Sequence, residues 1–173
     1  LTLNAGMAGG ADIILIPEIP YDIGKIVDAI NLRTSRGSKF TILAVAEGAI
    51  SKEDAALSKK EYKEKLANRP YPSVSYELAA QLEKRIDHEI RVTVPGHMQR
   101  GGSPCPYDRV FASRLGTKAA EMIINGEYGY MVGINHRELC KVPLEEVAGK
   151  LKGIAPDASI IKEAKMIGIS FGD

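Results

Sequence analysis

Two short, continuous apolar runs constrain the fold of this chain most strongly. They span residues 12–17 and 40–46, and each follows a stretch with the periodicity of a helix. Between them, Asp22 is a suitable N-cap for a helix whose apolar side chains recur every three or four residues, at Ile23, Ile26, Val27, Ile30 and Leu32. Apolar runs of this length are typical of strands buried in a parallel sheet. The order helix, strand, helix, strand therefore predicts an α/β fold.

The composition excludes several classes of protein. The 173 residues are 45% hydrophobic and 26% charged, as in an ordinary globular chain. A net charge of +1 provides no basic field for nucleic acid, and no apolar run is long enough to cross a membrane. The two cysteines, Cys105 and Cys140, have neither metal-like spacing nor a disulfide framework, which is typical of a reduced compartment. We predict a cytoplasmic chain without a metal site, a nucleic-acid partner or a membrane partner.

A glycine-rich run with two arginines and one histidine is the strongest indication of a binding site. Residues 91–104 read Arg-Val-Thr-Val-Pro-Gly-His-Met-Gln-Arg-Gly-Gly-Ser-Pro. The alternation over 90–94 predicts a strand with Arg91 on its polar face. His97 and Arg100 follow on the loop, the glycine pair lets the backbone approach a ligand, and the Ser-Pro predicts the start of a helix. Cationic side chains beside a helix N-terminus are suited to a phosphorylated small molecule.

This run resembles the signature of the 6-phosphofructokinase family. The resemblance rests on 96–104, with Pro106–Arg109 and Ala112–Arg114 behind it, and on four further runs, Ala8–Asp12, Ile14–Glu18, Val45–Gly48 and Val132–Ile134. It implies a phosphofructokinase-type two-domain α/β fold with a mainly parallel sheet in each domain. It further implies the C-terminal half of an enzyme that phosphorylates the 1-hydroxyl of fructose 6-phosphate in glycolysis.

The resemblance assigns four residues to fructose 6-phosphate. Glu47, at the carboxyl end of the predicted 40–46 strand, would accept hydrogen bonds from the sugar hydroxyls. Arg91 would bind the 6-phosphate in the site of a neighbouring subunit, and His97 would hold the same phosphate within its own subunit. Arg100 would contact the sugar phosphate and stabilise charge during transfer.

The phosphoryl donor and the catalytic base are expected outside this chain. The Gly-Gly-Asp-Gly phosphate loop and the Thr-Ile-Asp-Asn-Asp run of the family are not found here. Mg²⁺ is the expected cofactor, with ligands mainly elsewhere, and the donor is ATP or, in the closest alternative, pyrophosphate. A second alternative is a non-catalytic subunit that binds sugar phosphates, although four intact site residues argue against it.

A nucleotide effector site is the third implication of the resemblance. Asp12 follows Gly9-Gly10-Ala11, as the acidic effector ligand does in regulated bacterial members. The basic segment reads Arg36-Gly37-Ser38-Lys39, so Arg36 and Lys39 are candidate phosphate ligands while a serine occupies one basic position.

The resemblance also predicts the domain organisation. Residues 1–98 belong to the sugar-phosphate domain, 99–149 to the phosphoryl-donor domain, and 150–173 return to the first. Residues 51–86 are expected to form a charged, solvated insertion that chemistry does not require. Residues 1–8 read as the interior of a helix, so we expect a preceding N-terminal half as a partner, in a homo-oligomer, a tetramer or a dimer, with shared substrate sites.

Overall fold

Two short parallel strands, β1 (Ile13–Leu15) and β2 (Leu43–Val45), lie at the centre of the larger of two units. The computed structural model describes residues 1–173. The larger unit comprises Leu1–Thr93 and Gly153–Asp173, and the smaller comprises Val94–Lys152. The helices are α1 Thr2–Ala8, α2 Ile23–Ser35, α3 Lys52–Ala55, α4 Lys59–Ala67, α5 Val74–Leu82, α6 Pro106–Ile124, α7 Leu144–Val147 and α8 Ser159–Met166, and the other strands are β3 Tyr130–Asn135 and β4 Glu138–Pro143.

Strand β1 is buried on both faces. Its alternate side chains enter two separate hydrophobic clusters, since successive residues of a strand point to opposite sides. Ile14 packs with Leu3, Ile161 and Phe171. Ile13 and Leu15 pack in a second cluster, with Ile26, Ile30, Leu78 and Leu82. The predicted α/β fold with a parallel sheet is therefore confirmed for the larger unit.

Local signals in the sequence explain how the helices begin and approach the sheet. The Asp22 carboxylate caps α2 as predicted, accepting hydrogen bonds from the amides of Gly24 and Lys25 at 2.7 and 3.4 Å. Helix α1 lies so close to the sheet that a Cβ at Gly6 would come within 2.7 Å of the Ile14 side chain. Glycine therefore sets the distance between this helix and the sheet.

The prediction that residues 51–86 form a solvated insertion is wrong for the second half of that segment. Helix α4 is exposed, as its charge predicts. Helix α5, in contrast, buries Val74, Leu78, Ala79 and Leu82, and two of these side chains share the core cluster of α2. The apolar spacing of α5 is evident in the sequence, but the charged residues around it led to the prediction of a solvated segment and not of a helix that packs in the core.

Residues 90–94 do not form the predicted strand. They have no ladder partner, and β2 is the edge of its two-stranded sheet. Alternation along a sequence predicts which side chains share a face, but a strand also needs a hydrogen-bonding neighbour, and the sequence does not identify one.

The smaller unit combines α6 with an antiparallel hairpin. In the β3–β4 ladder, Tyr130 lies opposite Pro143 at one end and Asn135 lies opposite Glu138 at the other. The resemblance, in contrast, predicts a mainly parallel sheet in each domain. The two-residue turn requires positive φ at both His136 and Arg137, 49° and 72°, which is the backbone of a tight hairpin. The short connection leaves no room for the crossover that parallel strands need.

Helix α6 begins two residues later than the Ser103-Pro104 pair predicted. Cys105 is its N-cap, and the Asp108 carboxylate accepts a hydrogen bond from the Cys105 amide at 3.0 Å. Because Cys105 precedes Pro106, its backbone is disfavoured from helical geometry, so the helix begins at the proline.

The two units divide at Thr93–Val94 and at Lys152–Gly153. The boundaries predicted from the sequence are 98–99 and 149–150. None of the helices is long and apolar enough to span a membrane.

Candidate functional site

Glu47 lies in the turn that follows β2, and its side chain is exposed. The carboxyl ends of parallel strands meet at one edge of a sheet, where α/β proteins place their ligands. The turn after β2 accordingly lies beside the segment after β1, since a Cβ at Gly48 would be 3.6 Å from Pro17. Glu47 forms no ion pair, so its carboxylate can accept hydrogen bonds from a ligand.

A second acidic residue at this edge has a structural partner. The Glu18 carboxylate accepts a hydrogen bond from the Ile154 amide at 3.1 Å, and a Cβ at Gly153 would lie 3.2 Å from it. Glu18 therefore ties the returning chain to the loop after β1, while Glu47 remains available.

Arg91 lines a groove of about 440 Å³ between α2, the edge strand β2, α5 and the 86–93 segment. Its guanidinium forms an ion pair with Glu89 at 2.9 Å, and the two side chains are 82% and 73% exposed. An ion pair this exposed contributes little energy. Arg91 can therefore exchange Glu89 for a phosphate at small cost, and its planar fork matches phosphate oxygens.

The same groove contains one residue that the sequence analysis assigned to a different site. Lys39, a predicted effector ligand, lines it together with Arg91 and His88. His88 is within 3.2 Å of the Thr34 hydroxyl. The groove therefore presents two positively charged side chains above an apolar floor.

His97 and Arg100 lie on one short 3₁₀ turn, Gly96–Arg100, in the smaller unit. A 3₁₀ helix has three residues per turn, so side chains three apart share a face. Both are exposed, and positive φ at Gly96 and Gly102, 53° and 87°, bounds the turn. The turn therefore places an imidazole and a guanidinium on one exposed face.

The predicted effector residues are placed differently from one another. One carboxylate oxygen of Asp12 pairs with Arg33 at 2.8 Å, and the other accepts a hydrogen bond from the Ile42 amide at 2.8 Å. Arg36 is the exposed C-cap of α2. Asp12 therefore connects α2 to the start of β2, and an effector would have to compete with these contacts.

A cluster of alternating charges that the sequence did not reveal comprises Asp54, Lys65, Arg69 and Glu77, and we call it the Asp54 cluster. The Lys65 ammonium lies 2.5 Å from Asp54 and 4.0 Å from Glu77, and Arg69 lies 2.9 Å from Glu77. The hydrogen bond to Asp54 raises the pKa of Lys65. The cluster thus joins α3, α4 and α5.

The spacing in the sequence suggested a different partner for Lys65. Glu61 lies four residues before Lys65 on α4, a spacing that favours an ion pair between the two. Instead Glu61 accepts a hydrogen bond from the Ser58 amide at 2.9 Å in a capping box, and its hydrogen bonds with Ser58 hold the pKa of Glu61 below its ordinary value. The true partner, Asp54, is on another helix, so only tertiary structure brings the two together.

A buried tyrosine lies against the Asp54 cluster. Burial, reinforced by the carboxylates of Glu77 and Asp54, raises the pKa of the Tyr21 hydroxyl from 10.0 to about 12. The backbone of Tyr21 donates to the Ile50 carbonyl at 3.0 Å and accepts from the Lys52 amide at 2.8 Å. Tyr21 therefore connects the core to the start of α3.

The chain brings together no group of three or more His, Cys, Asp or Glu side chains suited to a metal ion.

Comparisons with known proteins give consistent findings. The phosphofructokinase family model matches residues 1–123. The whole chain aligns with the ATP-dependent 6-phosphofructokinase of Spirochaeta thermophila at 49% identity, covering 47% of that protein. It aligns with the enzyme of the same name from Propionibacterium freudenreichii at 42% identity, covering 51%. The chain thus spans about half the length of the curated relatives it matches.

Solved structures of similar fold come from the same family. The crystal structure of Pichia pastoris phosphofructokinase in the T-state matches with a TM-score of 0.59 and 30% identity, over 84% of this chain and 15% of that one. The phosphofructokinase from Saccharomyces cerevisiae matches with a TM-score of 0.59 and 28% identity, over 84% of this chain and 18% of that one.

Proposed function

The chain belongs to the phosphofructokinase family, and on that basis we propose that it is the sugar-phosphate-binding part of an ATP-dependent 6-phosphofructokinase. The reaction transfers a phosphoryl group from ATP to the 1-hydroxyl of fructose 6-phosphate and yields fructose 1,6-bisphosphate, a step of glycolysis. The observation that carries the proposal is the exposed pairing of His97 and Arg100 on one turn between glycines, within the run that resembles the family signature.

The proposed roles follow from the chemistry of each side chain. Glu47 accepts hydrogen bonds from the sugar hydroxyls, because its carboxylate is exposed at the carboxyl end of β2. Arg91 and His97 hold the 6-phosphate, and Arg100 contacts the sugar phosphate and stabilises the charge that develops during transfer. The larger unit then corresponds to the sugar-phosphate domain and the smaller one to part of the phosphoryl-donor domain.

ATP is favoured over pyrophosphate as the donor. The relatives from Spirochaeta thermophila and Propionibacterium freudenreichii are both ATP-dependent by name. Assaying the complete enzyme with each donor and fructose 6-phosphate tests this choice. We expect turnover with ATP and Mg²⁺, and turnover only with pyrophosphate would refute the choice of donor.

Replacing Arg91 with alanine tests the assignment of the 6-phosphate. A charge-assisted hydrogen bond contributes about 1.5–3 kcal/mol, so the KM for fructose 6-phosphate should rise roughly tenfold or more while the KM for ATP changes little. Arg85→Ala is the matched control, since Arg85 is an exposed arginine outside the groove whose guanidinium reaches only the Gln81 carbonyl. Equal sugar-phosphate KM values for the two variants would contradict the role of Arg91.

The resemblance further leads us to propose a homo-oligomer, a tetramer or a dimer, with shared sites. Arg91 then serves the ligand of a neighbouring subunit, whereas Glu47, His97 and Arg100 serve their own. Reassembling Arg91→Ala subunits together with His97→Ala subunits should restore some complete sites and raise the activity at low fructose 6-phosphate above that of either parent. Hybrids that form but are no more active than their parents at low fructose 6-phosphate would show that each site is built within one subunit.

A further inference from the structure

We propose that Asp54 and Lys65 are positioning residues for the sugar-phosphate site, and that the Asp54 cluster holds the segment after Glu47 in place. The inference rests on the proposed function, and it gives a role to a segment that the sequence analysis regarded as dispensable. Neither residue is expected to touch the ligand.

The cluster is a balanced set of charges, and three of its four side chains have little access to solvent. The side chains of Asp54, Glu77 and Arg69 are only 12%, 14% and 17% exposed, and Lys65 is 44% exposed. Two carboxylates thus alternate with two cations, and their pairing compensates for the lost hydration. Removal of one member leaves its partner without compensation, so the arrangement specifies one geometry more strongly than an exposed pair does.

A short, well-fastened stretch of chain connects the cluster to Glu47. Ala49 is buried, and the Ile50 carbonyl and the Lys52 amide both bond to the backbone of Tyr21. The Ser51 hydroxyl then accepts a hydrogen bond from the Asp54 amide at 3.0 Å and caps α3. The backbone between Glu47, the residue proposed to bind the sugar, and the buried carboxylate of Asp54 therefore has little conformational freedom.

The other end of the cluster lies on the helix that leads towards Arg91. Glu77 is on α5, whose Leu78 and Leu82 pack in the same core cluster as Ile26 and Ile30 of α2. Ile86 and Ile90 pack against that cluster as the chain leaves α5. The Asp54 cluster therefore links the turn that carries Glu47 to the helix from which the Arg91 segment departs.

This arrangement predicts a specific effect on substrate affinity. Asp54→Asn preserves the shape of the side chain and removes its charge, and Lys65 can then turn towards solvent, so the fold should tolerate the change. In the complete enzyme we expect the KM for fructose 6-phosphate to rise at least fivefold, with kcat and the KM for ATP within twofold of the original values. Lys65→Met leaves the Asp54 carboxylate, which is only 12% exposed, without its cation. It should therefore raise the KM for fructose 6-phosphate in the same way and also lower the melting temperature.

Glu64→Gln is the matched control, because Glu64 is an exposed carboxylate on α4 outside every ion pair. It should leave all three kinetic constants unchanged. Linkage supplies a second measurement, since a site that depends on the cluster must in turn stabilise it. Saturating fructose 6-phosphate should slow hydrogen exchange of the α4 amides in the unaltered enzyme at least threefold.

The outcomes separate this inference from the proposed function. If the unaltered enzyme does not phosphorylate fructose 6-phosphate, both fall. The positioning role alone is refuted if the unaltered enzyme is active, both charge variants have the kinetic constants of Glu64→Gln, and fructose 6-phosphate does not change hydrogen exchange of the α4 amides. A parallel loss of kcat and of both affinities, together with a lower melting temperature, would indicate general structural support and would also refute it. If Asp54→Asn fails to fold, Lys65→Met and the exchange measurement decide.

Discussion

Replacing Leu78 with alanine measures how much α5 contributes to the core. Leu78 is 2% exposed and packs in the hydrophobic cluster between α2 and the sheet. The substitution removes three carbons at about 0.8 kcal/mol each, or about 2.4 kcal/mol of transfer free energy. A residual cavity adds to this cost in a closed core. Because Leu78 also lines the open groove, the vacated space joins that groove and the added term is small.

We therefore expect the free energy of unfolding to fall by about 2.5 kcal/mol. With a urea m-value of roughly 1–3 kcal/mol per molar, the midpoint of urea denaturation should fall by about 0.8–2.5 M. Leu66→Ala on α4 is the control, since Leu66 is already 40% exposed, and it should cost less than about 1 kcal/mol.

The comparison distinguishes a core helix from a surface excursion. If Leu78→Ala costs no more than Leu66→Ala, then α5 does not support the core and the reasoning from burial is wrong. If the result is as expected, only part of the 51–86 segment can be deleted without loss of folding. A linker that replaces α4 alone should preserve folding, whereas one that also removes α5 should abolish it.

Three further outcomes are expected. Gly6→Ala should lower stability by about 1–2 kcal/mol because its Cβ comes within 2.7 Å of a β1 side chain. Gly116→Ala has open space around its Cβ and should raise stability by up to about 1 kcal/mol, and thermal unfolding of both variants tests this contrast. Replacing His136-Arg137 with Asn-Gly should stabilise the hairpin by about 1–2 kcal/mol, since both residues have positive φ, and an unchanged melting temperature would contradict it. The raised pKa of Tyr21 means that the unfolded chain releases this proton first, so its contribution of about 3 kcal/mol is complete below pH 10 and is lost as the pH rises towards 12. Unfolding across this range should show a shallower decline in stability for Tyr21→Phe.

Part of the candidate site could be predicted from the sequence because its residues are neighbours in the chain. His97 and Arg100 are three residues apart beside glycines, so one local turn suffices to align them. Glu47 directly follows an apolar run, and the carboxyl end of a parallel strand is a general location for ligands. For Arg91 the sequence predicted an accessible cation but assigned it to a strand that does not form, since strand pairing depends on distant residues.

The sequence by itself determined the local elements and the character of the core. The run 12–17 favours a buried strand, observed as Ile13–Leu15, and Asp22 favours the start of a helix, because continuous apolar side chains avoid solvent and a carboxylate satisfies free amides. Tertiary structure alone decided that Lys65 pairs with Asp54 in preference to Glu61, and that α5 belongs to the core despite the charges around it. The physical reason is that helical spacing and caps are properties of neighbouring residues, whereas the desolvation that selects an ion pair or a packed face exists only once distant segments have met.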